Sequence, residues 1–390
     1  MRQQFASSDF AGRGALKLAS VLIYILIIAG LTAYALLRPN NYWDMLAYIG
    51  VVESWHSSDP HVIHDVAYSS VQGLPEYKSL VGIDPVSKYN QRVAADSFDF
   101  VQQLPIYSIK PLYCMILAAL HRGGLSYTTA LNLISAGSFV GLALLAWFWF
   151  HQYLDEWWCT VFATLLVVSP PIYTAGRFAT PDALELVLVI FGLYMMLEHS
   201  YTAAGGVFLI LAVWARPDAM IVVGVIFFTL LYLKIIDYWE WGTFGLLTLF
   251  TYGVIRVFGG PYSWGIFFYH AFVGVLTEPA NMVVHVTPRM FLMISAQNGW
   301  TLVKSTSIAL VFFMGVLAIG LHRRRSYRFI TAAVLMSEIL HFLPFPSYSN
   351  RFYMVSTFFA PLSLVLACSG SLLKKPEAPE EGYSESSTNV

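Results

Sequence analysis

The chain has 390 residues, 57% of them hydrophobic and only 12% charged, with a mean hydropathy of +0.62. That composition excludes an ordinary soluble globular domain and places the chain in a bilayer. The formal net charge of −1 is uninformative, because placement matters more than the sum, and no nucleic-acid partner is expected. Cys114, Cys159 and Cys368 fall in or beside apolar runs without paired spacing and read as small core hydrophobes.

In chain order, apolar runs occupy residues 19–37, 107–121, 127–150, 158–174, 182–198, 203–215, 219–235, 242–258, 305–321, 328–345 and 352–370. Each is near the roughly 20 residues that a helix needs to cross about 30 Å of hydrocarbon. No alternating barrel-type pattern appears, so the spans are helical. The expected fold is an all-α polytopic membrane protein with about ten to twelve transmembrane helices. The first run lacks a small-residue cleavage site and reads as an uncleaved span.

Basic residues set the orientation: Arg2, Arg13 and Lys17 before the first span, "HRRRSYR" at 322–328, and Lys374–Lys375 after the last all argue for the cytoplasm. With both ends inside the number of crossings is even, which makes 107–121 and 203–215 the suspected half-spans. Residues 1–373 then form one transmembrane domain, followed by a disordered, acidic, Pro- and Ser-rich cytoplasmic tail over 374–390. Two long segments, 38–106 and 259–304, face the opposite side. Their aromatics, and prolines at 60, 75, 85 and 105, predict short interfacial helices in the first of them.

The residues suited to chemistry cluster at span ends. Asp44, in "YWDMLAY", follows the first span at headgroup height, flanked by Trp43 and Tyr48, and is placed to take a proton from a hydroxyl. Lys110, with Pro111 at the first turn of the next span, suits a lipid-linked phosphate or a snorkelling headgroup contact. "TPDAL" at 180–184 and "RPDAM" at 216–220 start helices with Pro and Asp, either as simple capping or as a polar face in which Arg177 and Arg216 lie near Asp182 and Asp218. Arg351, in "NRFYM", offers a planar fork to phosphate or an interface anchor. Glu338 and His341 interrupt an apolar helix, serving either function or packing. His61, His64 and Asp65 lie too close together in sequence to predict a metal site; no metal is assigned, and a divalent ion stays compatible with the reading. No nucleotide-binding glycine loop or nucleophile elbow occurs.

Taken in order, Asp44, "IKPLY" at 109–113, "RGGLS" at 122–126, "TPDAL" and "NRFYM" resemble the motifs of the GT-C superfamily of membrane glycosyltransferases. The resemblance implies hexosyl or pentosyl transfer from a polyprenyl-phosphate donor to a lipid, glycan or protein acceptor. It places the site at the periplasmic face of a bacterial inner membrane. It also implies Asp44 as catalytic base and Lys110, Arg351 and Arg216 as donor-phosphate ligands, with Asp182, Asp96, Asp218 and Tyr48 in support. Two departures stand out: Met45 follows Asp44 where a second acid is common, leaving Asp96, Asp99 or Asp182 to supply it, and Leu112 replaces a second proline. The alternative is a transporter or lipid flippase whose polar path is lined by Asp182, Arg216, Asp218 and Glu338.

Overall fold

A computed structural model describes residues 2–260 and 262–372, with side chains over 16–260 and 262–369. The proposed tail, 374–390, and the basic anchors Arg2, Arg13 and Lys374–Lys375 lie outside the described side chains. Among the described residues the fold is entirely helical, with no strand and one isolated parallel bridge between Asn40 and Phe178.

The helix α1 (Arg2–Leu37) leads into seven short helices: α2 (Asp44–Glu53), α3 (Pro60–Ser69), α4 (Tyr77–Leu80), α5 (Lys88–Ala95), α6 (Ser97–Val101), α7 (Leu104–Ser108) and α8 (Pro111–Arg122). The bundle continues with α9 (Tyr127–His151), α10 (Glu156–Val167), α11 (Pro170–Ala175), α12 (Asp182–Glu198), α13 (Thr202–Ala215), α14 (Ala219–Tyr232) and α15 (Tyr238–Phe258). After α16 (Trp264–Phe272) and α17 (Pro288–Lys304) come α18 (Thr306–Leu321), α19 (Arg325–Phe342) and α20 (Met354–Leu372). Side chains written into the sequence start many of them: Asp59, Ser87, Asp96, Ser126, Asp155 and Thr287 accept backbone N–H groups, and Asp237 with Glu240 forms a capping box.

Among the described residues three helices are long and apolar enough to cross a membrane: Leu16–Leu37, Tyr127–His151 and Tyr238–Phe258. The count rises to five if two bent pairs, Ser97–Ser108 with Pro111–Arg122 and Pro288–Lys304 with Thr306–Leu321, each form one span. Shorter apolar helices, Glu156–Val167, Thr202–Ala215, Ala219–Tyr232 and Met354–Ser369, add to these, so length alone does not fix the number of crossings. The expected run 107–121 breaks at Ile109–Lys110 with a 113° bend, and 158–174 breaks before Pro170, because proline has no N–H to continue a helix.

Two apolar cores hold the molecule. The larger joins α9–α14 with α19 and α20. The smaller is built from residues between 43 and 134 together with Ala179. Here the expectation of helices lying on an interface needs correction for α2: Met45 through Val52 are all buried, since a helix apolar on every side must be enclosed, and α3, α7 and α8 enclose it. The two long segments meet. Gln103 donates to the Thr277 carbonyl at 2.7 Å, Tyr262 donates to the Gln102 carbonyl at 2.8 Å, and Arg92 pairs with both Asp99 and Glu278.

Close glycine contacts set the α12–α13 hairpin. A Cβ on Gly205 would stand 2.7 Å from the Gly192 carbonyl oxygen, and one on Gly192 would stand 2.9 Å from that of Gly205. The hairpin returns Arg216 to the end of the bundle where Asp182 begins α12. The other end of α12, about 24 Å away at 1.5 Å per residue, carries Glu198, which accepts from Tyr153 and Tyr327 and faces Arg324 of the basic "HRRRSYR" turn.

Candidate active site

Asp44 is the first residue of α2, where the positive end of the helix favours a carboxylate. The chain exits α1 and is tied at once to the α11–α12 turn: the Asn40 N–H donates to the Arg177 carbonyl, and the Arg177 guanidinium donates to the Arg38 carbonyl at 2.6 and 3.0 Å. Arg177 is thereby engaged with this junction and does not join Asp182, as the sequence pattern suggested. The junction sets Asp44 beside α7, where the Tyr107 hydroxyl donates to its Oδ1 at 3.2 Å. Its Oδ2 lies 3.9 Å from Arg351 Nη1, and the side chain stays 28% exposed, enough for a ligand to reach it.

An aromatic floor surrounds this carboxylate. Trp43 meets Tyr89, Phe100 and Tyr107 edge-on, and Tyr48 meets Tyr107 and Tyr113. Lys110 stands at the N-cap of α8, where the helix dipole opposes a cation. Its ammonium is held instead by a 2.8 Å hydrogen bond to the Tyr48 hydroxyl and by the faces of Tyr48 and Tyr107, each 5.1 Å away. Burial, then the nearby Asp44, pushes the Tyr48 phenol well above its ordinary range, so it remains a neutral hydroxyl beside the Lys110 ammonium. At the edge of this floor, His270 meets Tyr89, and burial pushes its imidazole down to about 4 against the pull of Asp44, leaving it neutral.

Behind Asp44 runs a chain of buried charges. The Arg351 fork grips Asp182 through Nε at 2.8 Å and Nη2 at 2.7 Å. Asp182 also accepts from Thr180 and from Arg216. Arg216, only 7% exposed, pairs in addition with Asp218 at 2.6 Å and Glu185 at 3.3 Å. His341 Nε2 lies 3.4 Å from Asp218, and Glu338 accepts the Ser356 N–H at 3.0 Å. Simple capping does not explain the two Pro-Asp helix starts, because neither carboxylate bonds its own helix N-terminus. Both are committed to arginines.

The structure thus brings Asp44, Tyr48, Lys110, Asp182, Arg216, Asp218 and Arg351, all singled out in the sequence, to one end of the bundle. Arg216, expected as a phosphate ligand, is buried and has three carboxylate partners. Asp96 caps α6 and Asp99 pairs with Arg92, so neither supplies a second acid beside Asp44; among the candidates only Asp182 comes close, through Arg351. Tyr107 and Glu185 were missed. Glu185 was findable, being one helical turn from Asp182 on the same face, whereas nothing in the sequence ties Tyr107 to Asp44. His61 contacts Ser97, and His64 contacts Asp65 and the Ala94 carbonyl; among the described residues no group of three or more His, Cys, Asp or Glu is placed to hold a metal ion.

A cavity of about 440 Å³ opens between α11 and the start of α20, lined by Tyr42, Pro170, Thr174, Phe178, Asn350 and Arg351 among others. Its volume is in the range of small-molecule clefts. The break before Pro170 creates one wall, and Arg351, 6.0 Å over the Phe178 ring, connects it to Asp44. A second cavity, about 30 Å³, lies within the charge chain against Glu185, Asp218, Glu338 and His341 and has room for about two waters. No family model, curated protein or solved structure matches the chain, so the chemistry of the site rests on its residues.

Proposed function

We propose that the chain is an integral-membrane glycosyltransferase of the GT-C kind, crossing the bilayer ten to twelve times with Asp44 on the extracytoplasmic side. It moves a hexosyl or pentosyl group from a polyprenyl-phosphate carrier to a hydroxyl of a lipid, glycan or protein. The observation that carries the reading is a partly exposed carboxylate, Asp44, held between Tyr107 and Arg351 at the edge of a 440 Å³ cleft that shares Arg351.

Tyr107 holds Asp44 Oδ1 and leaves Oδ2 turned toward Arg351. Oδ2 takes the proton of the acceptor hydroxyl as its oxygen bonds to the anomeric carbon. The bond from that carbon to the phosphate oxygen breaks, and its electron pair leaves with the polyprenyl phosphate. One displacement inverts the centre, without a covalent enzyme intermediate. Arg351 Nη1, the one guanidinium nitrogen without a contact to Asp182, faces the developing phosphate charge, and Lys110 adds a second cation behind the tyrosines. In this scheme Asp182 and Arg216 are positioning residues that aim Arg351. The apolar bundle accommodates the isoprenoid tail.

Transport, the alternative, would rest on the buried chain from Asp182 to Glu338. Those charges pair with one another around a cavity of about 30 Å³, which favours a fixed scaffold over a pathway. The deciding experiment incubates purified protein in nanodiscs with a panel of polyprenyl-phosphate hexoses and pentoses and measures release of free polyprenyl phosphate. Turnover of one donor is expected. Failure with every donor, together with solute or lipid flux in proteoliposomes, would overturn the proposal.

A further inference from the structure

The helix α17 (Pro288–Lys304) stands apart from the rest of the fold because none of its residues is buried. At 100° per residue, its positions divide into three faces. Phe291, Ile294, Ser295, Asn298 and Leu302 point inward and are partly covered: Phe291 packs on Phe268 at 5.5 Å, and the Asn298 amide donates to the Pro346 carbonyl at 2.8 Å. Leu292, Met293, Ala296, Trp300 and Val303 fall within about 100° of arc on another face. The four large side chains there are each more than 60% exposed: 65, 62, 63 and 71% in order. Gln297, Thr301 and Lys304 make up the third face, polar and exposed.

A helix in water does not present a continuous apolar stripe of this kind. We infer that α17 is a membrane-surface helix: its Leu292–Val303 stripe is seated at the boundary between headgroups and acyl chains of the bilayer, its Gln297–Lys304 face turned to water. Three observations choose lipid as the occupant. The helix meets the apolar α18 at a 74° bend, so an α18 standing along the membrane normal leaves α17 within 90° less 74° of the membrane plane. Lys304 lies 4.8 Å over the Trp300 ring at that junction, an aromatic–cation pair of the sort that settles at headgroup level. Arg289 sits at the far end of the same stripe, where its stem can follow the apolar face and its charge reach the headgroups. The Asn298 bond clamps this helix to the loop that leads to Arg351, so the bilayer surface also sets the depth of that loop. The inference requires a membrane-embedded chain and does not depend on the transferase reading.

Nitroxide labels on single cysteines at 292, 296, 303, 297 and 301, in full-length protein in nanodiscs and with Cys114, Cys159 and Cys368 replaced, test it by accessibility to oxygen and to a water-soluble nickel complex. The expected result is oxygen-dominated accessibility at one shallow, constant depth for 292, 296 and 303, and nickel-dominated accessibility at 297 and 301. Depth rising steadily from 292 to 303 makes α17 an inserted limb of a re-entrant loop and overturns the inference. Nickel-dominated accessibility at all five positions, or spin–spin coupling between copies at 292 and 303, gives the stripe to water or to a second protein and overturns it as well. Should the cysteine-free background fail to fold, hydroxyl-radical footprinting of the unaltered protein in nanodiscs decides: Met293 and Trp300 protected and Thr301 modified supports the inference, and Met293 and Trp300 modified refutes it.

Discussion

Arg216→Met removes the centre of the charge chain while keeping much of the side-chain length. In the native protein this guanidinium is 7% exposed and meets Asp182, Glu185 and Asp218, so solvent screens little of the interaction. Without it, three carboxylates share one poorly solvated site, with Arg351 the nearest remaining guanidinium, 2.7 Å from Asp182. Breaking one side of a buried ion pair costs about 3–5 kcal/mol, and the loss here falls at the upper end of that range because two partners besides Asp182 are stranded. Adding Asp218→Asn removes one stranded charge, and the double variant should recover on the order of 0.5–3 kcal/mol relative to additivity. Equilibrium unfolding in mixed micelles measures both quantities. A single variant within about 1 kcal/mol of wild type, or strict additivity in the double, would mean that the carboxylates are compensated elsewhere and that Arg216 does not organise this end of the bundle.

Gly205→Ala forces a Cβ against Met196 and the Gly192 carbonyl, so it should destabilise the protein by about 1–3 kcal/mol, whereas Gly224→Ala, with nothing within 4 Å, should be neutral or slightly stabilising; thermal unfolding of the two variants compares them directly. Lys110→Ala and Arg351→Ala should each weaken donor binding by about 1.5–3 kcal/mol and acceptor binding less, as read by titration with a polyprenyl-phosphate sugar; unchanged donor affinity in both moves the phosphate site elsewhere. An impermeant thiol reagent should label single cysteines in 38–106 and 259–304 from outside and leave Ser326→Cys unlabelled, and the opposite pattern would put Asp44 in the cytoplasm.

Much of the bundle was readable because apolar runs and helix-start chemistry are local. Pro111 starts α8, and the expected runs 127–150 and 182–198 coincide with α9 and α12 to within one residue. What could not be read was long-range pairing. Asp44 and Tyr107 are 63 positions apart and Arg351 and Asp182 are 169 apart, and neither partner carries a sequence mark of the other. The same limit explains Arg216: an exposed phosphate ligand and a buried counter-ion have the same local sequence, "WARPDA", and only the return of the α12–α13 hairpin through Gly192 and Gly205 decides between them. Enclosure of α2 also depended on tertiary packing, because a short apolar helix looks alike whether lipid, water's edge or protein surrounds it.

Transfer by Asp44→Asn protein tests the central claim most directly. The amide keeps the shape beside Tyr107 and Arg351 but cannot accept the acceptor's proton, so donor should still bind and the single-turnover rate should fall by about 10²–10⁴-fold. Measured in nanodiscs with a radiolabelled polyprenyl-phosphate sugar, that combination of retained binding and lost transfer is the predicted outcome. Transfer within a few-fold of wild type would remove Asp44 from the chemistry and, with it, the reading of this site as a glycosyltransferase centre.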